Sequence, residues 1–267
     1  DGDVLSQIEG IPASDLYGAF GGSDAADNSG TMCYVSIRHG GALIGSGNEI
    51  NGLTLGGVGS GTSISNIEVV SNLDDGIEFF GGTVNVSNIL VGFQGDDGID
   101  VDMNYSGTID NFLVINGTNS DEGLEIDGPE GSTYTNGLFT LSNGSVYTFG
   151  GTDANGDFKS KAQGNITNVS LGNAKIRASY QNVCVDPKED SFTHLSDASP
   201  TLIFTGSSFT AVSVYTGSDD GAATPSPCTV FPADQSTAEG AMTSTTATGA
   251  DASGFASWTW SGLNGKL

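Results

Sequence analysis

The chain has 267 residues, with 41 Gly and only 7 Pro, and sets 7 Lys+Arg against 32 Asp+Glu for a formal net charge of −25. A surface this acidic repels nucleic acid and anionic membrane, both of which need basic contacts, and it attracts cations. Glycine-rich composition with little helical alternation favours one large all-β domain of short strands and tight turns.

Residues 1–30 lack periodicity and gather Gly, Ser, Asp and Asn in GAFGGSDAADNSG, which reads as an entry segment covering the first coil. Met32–Arg38 (MCYVSIR) and Ile50–Leu55 (INGLTL) are the first clear strands, and Cys33 reads as a small buried hydrophobe. From Thr62 to Gly131 three units say nearly the same thing: TSISNIEVVSNLDDGIEFFGG, TVNVSNILVGFQGDDGIDVDMNYSG and TIDNFLVINGTNSDEGLEIDGPEG. A period in the low twenties marks a solenoid of one coil per unit. Asn66, Asn88, Asn111 and Asn136 fall 22, 23 and 25 residues apart, and Asn168 comes after an insertion. The acidic pairs Asp74–Asp75, Asp96–Asp97 and Asp121–Glu122 fall 22 and 25 apart. Stacked coils place such residues in columns with neighbours about 4.8 Å apart. Asn suits a column at a tight bend because it tolerates left-handed backbone.

Strand parity then assigns faces. Ile67 and Val69, Ile89 and Val91, Phe112 and Val114, and Val169 and Leu171 are predicted inward, as are Ile77 and Phe79, Ile99 and Val101, and Leu124 and Ile126. Outward lie Glu78, Asp100 and Glu125, with Asp102 and Asp127 two residues beyond the last two. On the other strand Leu90, Leu113 and Leu138 face out and need a cover, for which the C-terminal tail is the favoured candidate over a partner or second subunit. Residues 146–181 read as one enlarged coil holding DANGD (Asp153–Asp157), Lys159, Lys161, Lys175 and Arg177. Beyond Cys184 the repeat dissolves; TLIFTG and TAVSVYTG look like strands, Ser236–Ser253 like loop, and Trp258 and Trp260 share one face of a strand that plugs the final coil. The domains predicted are thus a cap over 1–30, a β-helix over 31–180 and an irregular C-terminal cap over 181–267. Cys184 and Cys228 flank a loop-rich stretch and are expected to form a disulfide, which points to an oxidising compartment. No signal peptide, transmembrane run or lipidation motif is present, and the start at Asp1 reads as a mature or trimmed form.

The Asn column and the D-D-G-I-[DE] runs resemble the right-handed parallel β-helix of pectate lyases and their relatives. YVSIRHGGA (Tyr34–Ala42), NEINGLTLGGVGSGT (Asn48–Thr62) and NLDDGIEFFGGTVNV (Asn72–Val86) are similar to a group of secreted bacterial β-helix proteins with no established activity. The resemblance covers roughly residues 10–180 and implies the fold, with an acidic segment like the one beside the substrate groove of calcium-dependent polysaccharide lyases.

Stacked carboxylates repel, and solvation, raised pKa values or bound cations are the remedies. Calcium takes oxygen ligands in flexible geometry, so Asp74, Asp75, Glu78, Asp96, Asp97, Asp100, Asp121, Glu122 and Glu125 are the candidate metal residues, with a solvated acidic ridge as the plain alternative. The function expected is a secreted or cell-surface, extracellular calcium-binding β-helix with a structural, adhesive or glycan-binding role, its partner a glycan or copies of itself. The alternative is a calcium-dependent uronate lyase with Lys159 or Lys161 as base and Arg177 assisting. His39 and His194 belong to no metal-spaced cluster, and no nucleophile elbow, phosphate loop or dinucleotide fingerprint occurs.

Overall fold

A computed structural model of the chain describes residues 6–45, 50–129, 132–149, 155–177, 190–215 and 232–267. A small hairpin, β1 (Ser6–Gln7) and β2 (Ala19–Phe20), precedes seven rungs of one long and one short strand. The first three rungs are β3 (Thr31–Arg38) with β4 (Leu53–Gly56), β5 (Ser63–Val70) with β6 (Ile77–Phe80), and β7 (Asn85–Gly92) with β8 (Ile99–Asp102). The other four are β9 (Thr108–Asn116) with β10 (Leu124–Ile126), β11 (Phe139–Thr148) with β12 (Gly156–Phe158), β13 (Gly164–Ser170) with β14 (Asn173–Arg177), and β15 (Leu202–Thr205) with β16 (Ala211–Tyr215). The long strands pair in parallel as one seven-stranded sheet and the short strands as another. This is an all-β parallel β-helix.

Its register stacks like on like. Met32, Ile64, Val86, Ile109, Leu141, Ile166 and Phe204 form one inward column. Leu55, Phe79, Val101, Ile126, Phe158, Ile176 and Val214 form another. All the inward residues predicted from parity are buried, and each such side chain contributes about 1.5–3 kcal/mol. The long strands bend where Asn66, Asn88, Asn111, Asn143 and Asn168 take φ between 52 and 57°. A left-handed residue inside a strand resets the alternation, so Ile64 and Ile67, three apart, both point in. Asn88 donates to Asn66 at 3.2 Å, Asn111 to Asn88 at 2.8 Å and Asn168 to Asn143 at 2.8 Å.

The fourth member of that ladder is Asn143, not Asn136. An insertion before β11 delays the bend, and Asn143 turns its amide to Asp110 at 2.7 Å. Leu138 is consequently exposed, and Ser145 takes the outward place beside Leu113. The described residues between 146 and 177 form not one enlarged coil but the end of the fifth rung and the sixth. Cys33 is exposed, because Met32 and Val35 take the inward places on either side of the bend at Tyr34 (φ 55°). Cys184 and Cys228 lie outside the described residues.

The sheets continue past residue 180 to β15 and β16, as TLIFTG and TAVSVYTG suggested, and helix α1 (Phe192–Ser196) precedes β15 and packs near it. Ser236–Ser253 is not all loop: helix α2 (Pro232–Ala241) caps the last short strand, and Gln235 accepts from Val214 N at 2.9 Å and donates to Val212 O at 2.7 Å. The amide thereby pairs the strand edge as another strand would. The tail then runs back along the solenoid. Thr248 N binds Asn168 Oδ1 (2.8 Å), Ala250 N binds Ser145 Oγ (2.9 Å), Asp251 N binds Asn111 Oδ1 (2.7 Å), and Trp260 N and Ser261 N bind Glu68 (2.8 and 2.9 Å). Phe255 closes over Leu90, Leu113 and Ile115 in a second apolar cluster, so the chain's own tail covers the outward leucines. Trp258 and Trp260 are not on a strand: Trp258 meets Tyr34 of the first rung edge-on at 5.6 Å, and Trp260 opens the short helix α3 (Trp260–Leu263). Among the described residues no helix is long and apolar enough to cross a membrane.

Candidate cation site on the outer acidic face

On the outer face of the short-strand sheet the register runs Thr54, Glu78, Asp100, Glu125, Asp157, Lys175, Ser213. Four consecutive acids are stacked at the strand spacing, about 4.8 Å, where two carboxylates repel by about 3.5 kcal/mol at an effective dielectric of 20. Asp102 comes one residue after the inward Val101, and Asp127 after Ile126, its partner in the register. A third column lies at the turn before these strands. Asp75 Oδ1 accepts from Asp97 N at 3.0 Å, and Asp97 Oδ1 from Glu122 N at 2.6 Å. The glycine after each acid permits this closeness; a Cβ on Gly76 would lie 2.2 Å from Val91 and 2.6 Å from Gly98 O.

These acids are not a solvated ridge. Asp75, Glu78, Asp97, Asp100, Asp102, Glu122, Asp127 and Asp157 are all buried. The N-terminal hairpin lies across this face: Phe20 packs on Phe80 at 5.7 Å, Ile8 and Phe20 close over Gly56, and Ser6 reaches Met103. Burial, reinforced by the Glu78 charge, pushes Asp75 well above the usual carboxylate range. Burial and Glu9 push Glu78 up to about 8, and burial and Asp121 do the same for Glu122. Asp97 and Asp100 are raised by burial first, then by Glu125 and Asp102 respectively.

In the later rungs the chain supplies its own cations. Lys159 ion-pairs with Glu125 and lies 3.5 Å from Asp127, and Lys175 lies 3.4 Å from Glu122. Among the described residues Asp75, Glu78 and Asp100 have no ion pair, although the Lys159 charge reaches Asp100. One carboxylate oxygen from each of these three lies within 4.8 Å of the others. Asp100 Oδ1, within this group, is buried without a hydrogen-bond partner among the described residues. So is Oδ1 of Asn51, whose amide nitrogen bonds Glu78. Carboxylate oxygens are hard donors of the type that oxygen-seeking divalent cations take. Asn51 and Glu9 also line a cavity of about 330 Å³ between the hairpin and the first rung.

Of the residues predicted from sequence, Asp75, Glu78 and Asp100 converge in this group, and Asp74 and Asp96 join Asp75 in a more exposed one. Asp97 is committed to the Glu122 amide, Glu122 to Lys175 and Glu125 to Lys159, while Asp121 is exposed. Sequence reasoning missed Asn51 and Asp157. Asn51-Gly52-Leu53-Thr54 stands in register with Asp75-Gly76-Ile77-Glu78, which the shared N/D-G-hydrophobe pattern could have revealed. Asp157 was obscured because Asn155 takes the place held elsewhere by glycine: a Cβ on Gly123 would meet Asn155 O, as one on Gly98 meets Gly123 O.

Of the basic residues expected for a lyase, Lys159 is paired with carboxylates. Burial lowers the Lys159 pKa, but Asp127 and Glu125 outweigh it and hold the ammonium well above the usual lysine value. A lysine so held keeps the proton that a base must lack. Lys161 is exposed in the adjoining turn (φ 65°), and the side chain of Arg177 lies outside the described residues. Compared with known families, residues 13–262 match the model described as a pectate-lyase like beta helix domain. Comparison with curated proteins and with solved structures returned no match.

Proposed function

The chain belongs to that family, and on this premise we propose that it is an extracellular or cell-surface β-helix protein stapled by calcium. One ion sits among Asp75, Glu78 and Asp100, and the role is structural or glycan-binding, not catalytic. The observation that carries the reading is the Asp100 carboxylate, buried between Glu78 and Asp102 with Oδ1 unpartnered among the described residues. Burying such a charge uncompensated is costly, and a cation shared across two rungs removes the cost where it arises. An enclosed ion of this kind joins coils together. Glycan binding draws its support from family membership, and the extracellular setting from the acidic surface. The tail's cover of Leu90 and Leu113 removes one apolar face that would otherwise call for a second copy.

Calorimetric titration of the chelator-stripped protein with calcium tests the reading. Wild type is expected to bind one ion, and Asp100→Asn to bind it at least tenfold more weakly, about 1.4 kcal/mol. Equal affinity in the two proteins would refute the site.

A further inference from the structure

We propose that Lys159 is a built-in cation that closes a second metal site, so that the two buried carboxylate groups sharing Asp100 take one divalent ion and not two. The proposal rests on the calcium reading of the Asp75–Glu78–Asp100 group and sets the number of its sites.

Two groups of carboxylates share Asp100. One is Asp75, Glu78 and Asp100; the other is Asp100, Asp102 and Asp127, again with one oxygen from each within 4.8 Å of the rest. All five residues are buried. By donor type and spacing the two groups are equivalent, and either suits an oxygen-seeking divalent cation. They differ in what lies beside them. The Lys159 side chain, 10% exposed, places its ammonium on Glu125 and 3.5 Å from Asp127 Oδ2. A divalent ion held by Asp127 would stand next to that ammonium in a poorly solvated space, where like charges repel strongly. Among the described residues Asp75 and Glu78 have no ion pair, and the Lys159 charge reaches the first group only through the shared Asp100. Lys159 therefore directs the ion to the Asp75–Glu78 side of Asp100. Lys175 repeats the device one rung on, ending the acid column and pairing with Glu122.

Replacing the ammonium by an apolar side chain of similar length removes its repulsion of an ion at the second group. Calcium titration of full-length wild type, Lys159→Met and Lys159→Arg is expected to give one, two and one ions. Circular dichroism checks that each variant is folded. Because loss of a buried cation can unfold the chain, Lys159→Met combined with Asp127→Asn removes one acid together with the ammonium; it is expected to fold and return to one ion. A folded Lys159→Met protein that still binds one, or a wild type that binds two, would overturn the proposal. If wild type binds none, the first site fails separately. A single ion gained by Lys159→Met would then still support the role of Lys159, and none gained would overturn it.

Discussion

Replacing Glu68 by Gln strikes the clasp that holds the tail. Glu68 is fully buried on the outer face of β5, where it accepts from Ser36 Oγ at 2.6 Å, Trp260 N at 2.8 Å and Ser261 N at 2.9 Å. Gln keeps one acceptor oxygen but turns the other position into an NH2 donor facing a donor. Hydrogen bonds to a charged acceptor are worth about 1.5–3 kcal/mol each, and losing one while weakening another costs about 2–4 kcal/mol. Phe255 and the Asn111 contact remain, so the cost falls on local opening of the tail before it falls on the coils. Hydrogen exchange read at the Trp260 and Ser261 amides should therefore quicken by about 30-fold or more, since each 1.4 kcal/mol is tenfold. Exchange within about twofold of wild type would refute the clasp.

Gly144→Ala places a Cβ 1.9 Å from Phe112 Cζ; it should lower stability by about 1–3 kcal/mol in urea unfolding, and Phe112→Leu in the same chain should restore part of the loss. In chelator, Glu78 and Glu122, raised to about 8 from 4.5, keep protons in the folded state that the unfolded chain releases. Their contribution is complete below about pH 4.5 and is lost as pH rises toward 8; the melting temperature with chelator should be higher at pH 5 than at pH 8, and the reverse order would contradict the burial of these acids. Incubation with pectin or alginate, with and without calcium, should give no new absorbance from unsaturated uronates, and its appearance would restore a lyase.

The columns were legible because a solenoid makes sequence period and spatial neighbourhood the same thing. Ile67, Ile89 and Phe112 could be placed inward, and Glu78, Asp100 and Glu125 outward, from the repeat alone. Legibility failed where the period did. The insertion before β11 moved the bend from Asn136 to Asn143, and at Asn155-Gly156 the glycine slipped one place and hid Asp157. The tail could be assigned to the outward leucines by elimination, but not its path. It binds chiefly through backbone N–H groups to acceptors already present on the rungs, and such contacts leave no pattern in the tail's own sequence. The cover over the early rungs was hidden for a related reason: a hairpin distant in sequence lays Ile8 and Phe20 on Gly56 and Phe80.

Anomalous scattering from crystals grown with calcium replaced by terbium tests the central claim most directly. One strong peak is expected, held by oxygens of Asp75, Glu78 and Asp100 at about 2.3–2.6 Å, the calcium range. Peaks only at the exposed Asp96 or Asp121, or none on this face, would contradict it.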